Sequence, residues 1–263
     1  MERDIILEKV READMVLVGL GEDFNGRKQL KDCPGYLSGC RSLEEAGYRW
    51  LFPAWLDYCF HKWNADRVAG ALEKLADFLK DKNYFVVADS VNSAIAVTPW
   101  KPGRLVMPCG SSLWKQCEHG CDSVLEETVD RDREALGEIF GELYKGNFSL
   151  DRMPELGSCP QCGGRMIFNS VYAKAYNENG YMEAWKLYTK WLQGTLNRKL
   201  LILELGVGMD FPTVIRWPFE KAAFFNQKAY FCRVHENLYQ LTEELAGKGC
   251  GISQNAIDWL EFL

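Results

Sequence analysis

Two cysteine pairs limit what this chain can become more than any other feature: Cys117-Glu118-His119-Gly120-Cys121 and Cys159-Pro160-Gln161-Cys162. Each pair presents two sulfurs from one tight turn, and Gly120, Gly163 and Gly164 supply the backbone freedom such turns need. Four thiolates in a tetrahedron make a closed, structural zinc site with no open position for chemistry. The first pair has three intervening residues where two is commoner, and 37 residues separate the pairs. His119 reads as a turn residue rather than a ligand. Ten cysteines in a small secreted domain would mean disulfides, but Met1-Glu2-Arg3-Asp4 does not begin an apolar leader. The expectation is therefore metal binding in a soluble, cytoplasmic protein. Cys33, Cys40, Cys59, Cys232 and Cys250 have no paired spacing and read as small hydrophobes.

The rest of the chain alternates strand and helix. Met15-Val16-Leu17-Val18, Tyr84 to Ala88, Leu200 to Leu203 and Ala229 to Cys232 are continuous apolar runs, as expected of strands buried on both faces of a parallel sheet. Helical periodicity marks Ile5 to Asp14, Ser42 to His61 (with Pro53 expected to kink or divide it), Asp66 to Lys82, Asp130 to Tyr144, Glu178 to Leu196 and Ile252 to Phe262. Residues 25–40 read as loop, and Pro212 is placed to open a helix. The expected fold is α/β: a Rossmann-like parallel sheet with helices on both faces, formed by residues 1–102 and 171–263. An inserted small zinc-binding module takes residues 103–170.

Two glycine pairs follow buried strands: Gly19-Leu20-Gly21 and Gly206-Val207-Gly208. At the carboxyl ends of parallel strands they would face one crevice and let a phosphate or ribose approach the backbone. Glu22 and Asp23 oppose this, since two carboxylates beside a pyrophosphate repel it. They can instead cap the following helix. The net charge of −6 argues against nucleic acid as a partner. No apolar run is long enough to span a membrane.

Cys159-Pro160-Gln161-Cys162-Gly163-Gly164, the aromatic helix 181–192, and Leu203-Glu204-Leu205-Gly206-Val207-Gly208 followed by Val214-Ile215-Arg216-Trp217-Pro218-Phe219 occur in an order that resembles the sirtuin family, nearest to its bacterial macrodomain-linked branch. The resemblance implies NAD or ADP-ribose between a large nucleotide domain and a small zinc domain. It also implies transfer of ADP-ribose to an acyl-lysine oxygen or a protein nucleophile. The implied cofactor-binding positions are Gly19, Gly21, Glu22, Asp23, Ser90, Gly206, Gly208 and Arg233, and the implied catalytic positions are Ser90, Asn92 and Cys109.

Those positions depart from the family's pattern. Asp23 stands where a phosphate-facing Ser is expected, Ser90 replaces Asn, Asn92 replaces Asp, and Arg233 stands at or near the place of another Asn. Cys109 replaces the base His. An ordinary thiol, with a pKa of about 8.5, is mostly protonated where imidazole is poised to act as a base. Cys109 reads either as a nucleophile or as a small filler in a partly buried loop. Three functions follow: an NAD-dependent deacylase or ADP-ribosyltransferase, an inactive sirtuin-like protein that binds nucleotide or a protein partner, and, least favoured by charge, a zinc ribbon on nucleic acid.

Overall fold

The computed structural model describes residues 2–26, 30–63, 65–122, 124–147, 149, 153 and 155–261. Met1, residues 27–29 of the expected loop and Phe262 of the expected closing helix lie outside them.

Nine strands are described: β1 Met15–Leu20, β2 Asn83–Ala88, β3 Leu105–Val106, β4 Gly110–Cys117, β5 Leu125–Glu127, β6 Met166–Ser170, β7 Leu200–Leu205, β8 Tyr230–Val234 and β9 Gly249–Ile252. Six form one parallel sheet in the order β3-β2-β1-β7-β8-β9. Val18 stands beside Val86 on one side and Leu203 on the other, and every residue of β1 and β7 is buried. Alternate side chains serve opposite faces. Val16, Val18, Leu203 and Leu205 pack with Leu72, Leu75 and Leu260 of the helices Ala65–Leu79 and Ala256–Glu261. Leu17, Phe85, Ile202 and Phe231 pack with Tyr188, Trp191 and Phe219 of the helices Asn179–Gln193 and Arg216–Phe225. This is the Rossmann-like sandwich expected from the buried runs.

A charged network crosses one end of the sheet. Glu204 is fully buried within β7 and receives Arg233 of β8 through Nε at 2.6 Å and Nη2 at 3.1 Å. Arg216 Nη2 stands 3.3 Å from the same carboxylate, and Glu220 takes Arg233 Nη2 at 2.7 Å. Burial pushes the Glu204 carboxyl up, against the pull of Arg233 and Arg216.

The remaining strands form an antiparallel sheet, β5-β4-β6. Its core draws on residues outside the expected module: Trp55 packs against Phe140, and Trp50 against Phe168. The module limit expected at residue 103 also falls before β3, which pairs with β2 in the large sheet. Within the expected loop 25–40, Pro34 opens a helix that runs to Glu45, because its missing N–H is not needed in the first turn. Pro53 occupies the first turn of Phe52–Trp63, so it divides the expected helix instead of kinking it. Ile252 ends β9 and does not start the closing helix. Gly249 in that edge strand lies so close to the Phe231 carbonyl that a side chain would collide with it. Among the described residues, no helix is long and apolar enough to cross a membrane.

Candidate functional site

The strand order places β2 on one side of β1 and β7 on the other. The connections leaving their carboxyl ends diverge there, which is where open α/β sheets hold ligands. A narrow crevice of about 20 Å3 lies at this point and is lined by Glu22, Asn25, Asp89, Ser90, Tyr172, Gly208 and Asp210 among others.

The two glycine loops touch each other beside it. A Cβ on Gly21 would collide with the backbone of Val207, and Gly21 N–H donates to the Leu205 carbonyl at 3.0 Å. Gly206 has φ +60, and a Cβ there would lie 2.5 Å from the Asp23 side chain. Glu22 lies against Gly208, where a Cβ would meet its carboxyl end. Gly208 thus admits the Glu22 carboxylate to the crevice edge, and Gly206 makes room for the fully buried Asp23. Asp23 Oδ2 accepts from Ala256 N–H at 2.9 Å, so it caps the distant closing helix and not the following one. Glu22 Oε1 stands 3.1 Å from Nε2 of His235. Nδ1 of that ring accepts from the N–H groups of Asn237 and Leu238, both at 3.0 Å. An imidazole accepting at Nδ1 carries its proton on Nε2 and donates it to Glu22.

Asp89 is 9 % exposed at the end of β2. Burial, reinforced by the charges of Asp210, Glu22 and Glu204, pushes its carboxyl up to about 8, and its own N–H offsets this only in part. Such a group is protonated at neutral pH and can donate a hydrogen bond.

The residues expected from the sequence divide between the crevice and the frame around it. Ser90, Glu22 and Gly208 line the crevice. Ser90 Oγ accepts from Asn92 N–H at 3.1 Å. Asn92 caps the helix Ser93–Val97, with Oδ1 taking Ala94 N–H and Nδ2 donating to the Phe24 carbonyl. Gly19 sits within β1, where a Cβ would meet Ile215 at 2.5 Å. Arg233 is held by Glu204 and Glu220. Cys109 is 1 % exposed in the small-lobe core, and its carbonyl accepts Val171 N–H at 3.0 Å. Gly19, Gly21, Asp23, Gly206, Arg233, Asn92 and Cys109 are not among the crevice-lining residues. Asp89, Asp210, Tyr172 and Phe211 line it without having been singled out in the sequence. Only the place of Asp89, one residue past a buried strand, was a signal.

The four paired cysteines come together. The sulfurs of Cys117, Cys121, Cys159 and Cys162 all lie within 4.8 Å of one another, with Cys117 and Cys162 at 3.4 Å. The knuckle turns close through Gly120 N–H to the Cys117 carbonyl and Gly163 N–H to the Cys159 carbonyl, and both glycines have φ +73. Backbone N–H groups of His119 and Gly164 point at the sulfurs of Cys117 and Cys162, each at 3.4 Å. Burial opposes ionisation of Cys117, but the N–H groups of His119 and Cys121 and the thiols of Cys162 and Cys159 bring it down to about 6, while hydrogen bonding with Cys117 and Cys162 pushes Cys121 up to about 12. Four thiols this close ionise together only around a cation, so the donor set fits a tetrahedral metal such as zinc. His119 Nδ1 lies 3.5 Å from the Cys162 sulfur, outside the four-sulfur group.

No protein-family model matches the sequence. A Fusarium oxysporum f. sp. cubense protein named "Probable bifunctional ADP-ribose hydrolase/ADP-ribosyltransferase" is 28 % identical over 138 residues, which are 52 % of this chain and 23 % of that one. The chain thus spans about a quarter of that relative's length. A "Protein ADP-ribosyltransferase" of Staphylococcus aureus is 16 % identical over 93 % of this chain and 81 % of its own. Among solved structures, a Sir2 homologue in complex with NAD superposes with a TM-score of 0.59 at 9 % identity, covering 98 % of this chain and 91 % of its own. A Sir2 homologue variant bound to ADP-ribose gives 0.60 at 10 % identity over 98 % and 94 %. The resemblance read from the sequence holds at the level of architecture: this chain has the fold of the Sir2 sirtuins.

Proposed function

We propose that this protein binds NAD or ADP-ribose in the crevice between β1, β2 and β7, around a zinc-pinned small lobe, and has lost sirtuin deacylation. One observation carries the reading. Cys109, at the position where the resemblance calls for the base histidine, is buried in the small-lobe core and does not line the crevice. His235 is the imidazole beside the crevice, and its two nitrogens are engaged by Glu22 and by the backbone of residues 237–238. Loss of a placed general base costs roughly 10²- to 10⁴-fold in rate.

Binding follows from the remaining groups. Gly208 forms the edge that phosphates approach, Glu22 stands beside it as a repelling carboxylate, and Ser90 and the protonated Asp89 carboxyl offer donors to ribose or phosphate oxygens. The zinc, held by Cys117, Cys121, Cys159 and Cys162, supplies structure and no reacting position. Calorimetric titration with ADP-ribose tests the reading: saturable heat at one site per chain is expected, and no heat at millimolar ligand would overturn it.

A second reading, an ADP-ribosyltransferase, is favoured by Asp89. A carboxyl with a pKa near 8 beside the crevice can exchange a proton at working pH. This reading requires nicotinamide release that Asp89→Asn abolishes.

A further inference from the structure

A second cavity, of about 240 Å3, shares no lining residue with the crevice. It opens between the helices Phe52–Trp63 and Asp130–Tyr144, over β4 and β6. Asp57, Tyr58 and His61 face it from one helix, and Leu136, Gly137 and Phe140 from the other. Phe168 of β6 completes an apolar wall.

Asp57 is 9 % exposed and belongs to this lining. Its Oδ1 accepts Ser93 N–H at 3.0 Å, and its Oδ2 accepts the Ser112 hydroxyl. The Ser93 side chain also bonds it, and a carboxylate offers about four acceptor positions, so one is still available. Among the described residues no ion pair reaches it: the Arg133 guanidinium at the cavity edge goes to Asp130 at 2.6 Å, and His61 exerts only the weakest of the influences on Asp57. Buried carboxylates are ordinarily paired with a cation, because desolvation penalises the lone charge. Burial pushes the Asp57 carboxyl up, against the hydrogen bonds of Ser112 and Ser93, and a cation in the cavity would favour its ionised form, with apolar surface beside it for the body that carries the charge.

We propose that this cavity binds a small amphipathic cation: a protonated amine whose ammonium meets Asp57 and whose aromatic or aliphatic body lies between Leu136, Phe140 and Phe168. The volume is below that of most drug-sized sites, which limits the ligand to a single ring or a short chain. The charge excludes a carboxylate of the same shape. Nothing in this assignment depends on what the crevice binds.

The test uses the full-length protein and 2-phenylethylamine, with 2-phenylethanol and 3-phenylpropanoate as isosteres. The readout is the Trp55 indole N–H resonance, because Trp55 stacks on Tyr58 at 5.7 Å and meets Phe140 edge-on at 5.3 Å. Expected is a saturable shift with the amine, binding about tenfold weaker with the alcohol, and none with the carboxylate. Asp57→Asn should bring the amine down to the alcohol's level. A Cβ on Gly137 meets nothing within 4 Å, so Gly137→Leu fits the fold, fills the cavity and should abolish the shift at an unchanged or raised Tm. Equal binding of amine and alcohol, no saturable shift, or amine binding that survives Gly137→Leu would overturn the assignment. The Gly137→Leu arm decides the matter even if Asp57→Asn does not fold.

Discussion

Glu22 holds its carboxylate 3.1 Å from Nε2 of His235, directly against Gly208. That is the glycine edge at which a pyrophosphate would approach. Glu22 is partly exposed, with 27 % of its side chain open to solvent. Asp23 is fully buried and holds the N-terminus of the closing helix. Two adjacent carboxylates thus have different parts: Asp23 is a buried cap, and Glu22 is a guard that reaches solvent at the crevice edge.

Removing the guard should favour an anionic ligand. Glu22→Ala is expected to tighten ADP-ribose binding by about tenfold, since a like charge leaves the phosphate path. Calorimetry on the two proteins checks this. Unchanged or weaker binding would place Glu22 outside that path.

Asp89 makes stability depend on pH. Its folded pKa, about 8, lies above the ordinary 3.8, so the folded state holds a proton that the unfolded state releases. The contribution is greatest below the ordinary carboxylate range and is lost as pH rises towards 8. Urea denaturation should show a fall of up to roughly 1.4 kcal/mol per pH unit across that window. Asp89→Asn should flatten the slope. Anionic ligands should also bind more weakly above pH 8, where Asp89 ionises.

The four-cysteine cluster should carry one zinc per chain, measurable by elemental analysis. Cys117→Ser, or a strong chelator, is expected to remove it and destabilise the small lobe by several kcal/mol. Limited proteolysis would then cut within 109–173 before the parallel sheet. Zinc-free protein with an intact small lobe would contradict this.

Arg233 serves the sheet. Arg233→Met leaves Glu204 buried with only Arg216 beside it and should cost about 3–5 kcal/mol in urea denaturation. A cost under about 1 kcal/mol would mean that Glu204 takes up a proton and needs no partner.

How much of this was legible depended on whether the cause was local. The runs at Met15, Tyr84 and Leu200 spell buried parallel strands, because both faces of the sheet are covered. Cys117, Cys121, Cys159 and Cys162 announced their cluster through spacing alone. Asp130 to Tyr144 matched its helix at both ends. β9 was hidden because Gly249, Cys250 and Gly251 carry no periodicity, and its strand is set by the close approach of Phe231. The crevice was half visible. Glycine pairs marked the strand ends, but Gly19 packs against Ile215, and Gly21, Gly206 and Gly208 make room for Val207, Asp23 and Glu22. A sequence shows where a side chain is missing and not what fills the gap. Asp89 and Asp210 enter the crevice only through tertiary folding.

The central claim is binding without deacylation, and incubation of the purified protein with NAD and an acetyl-lysine peptide tests it most directly. Mass spectrometry should find NAD intact, the peptide still acetylated and no ADP-ribose on either protein or peptide. Nicotinamide accumulating together with deacetylated peptide would contradict the account, whether or not Cys109→Ala changes the rate.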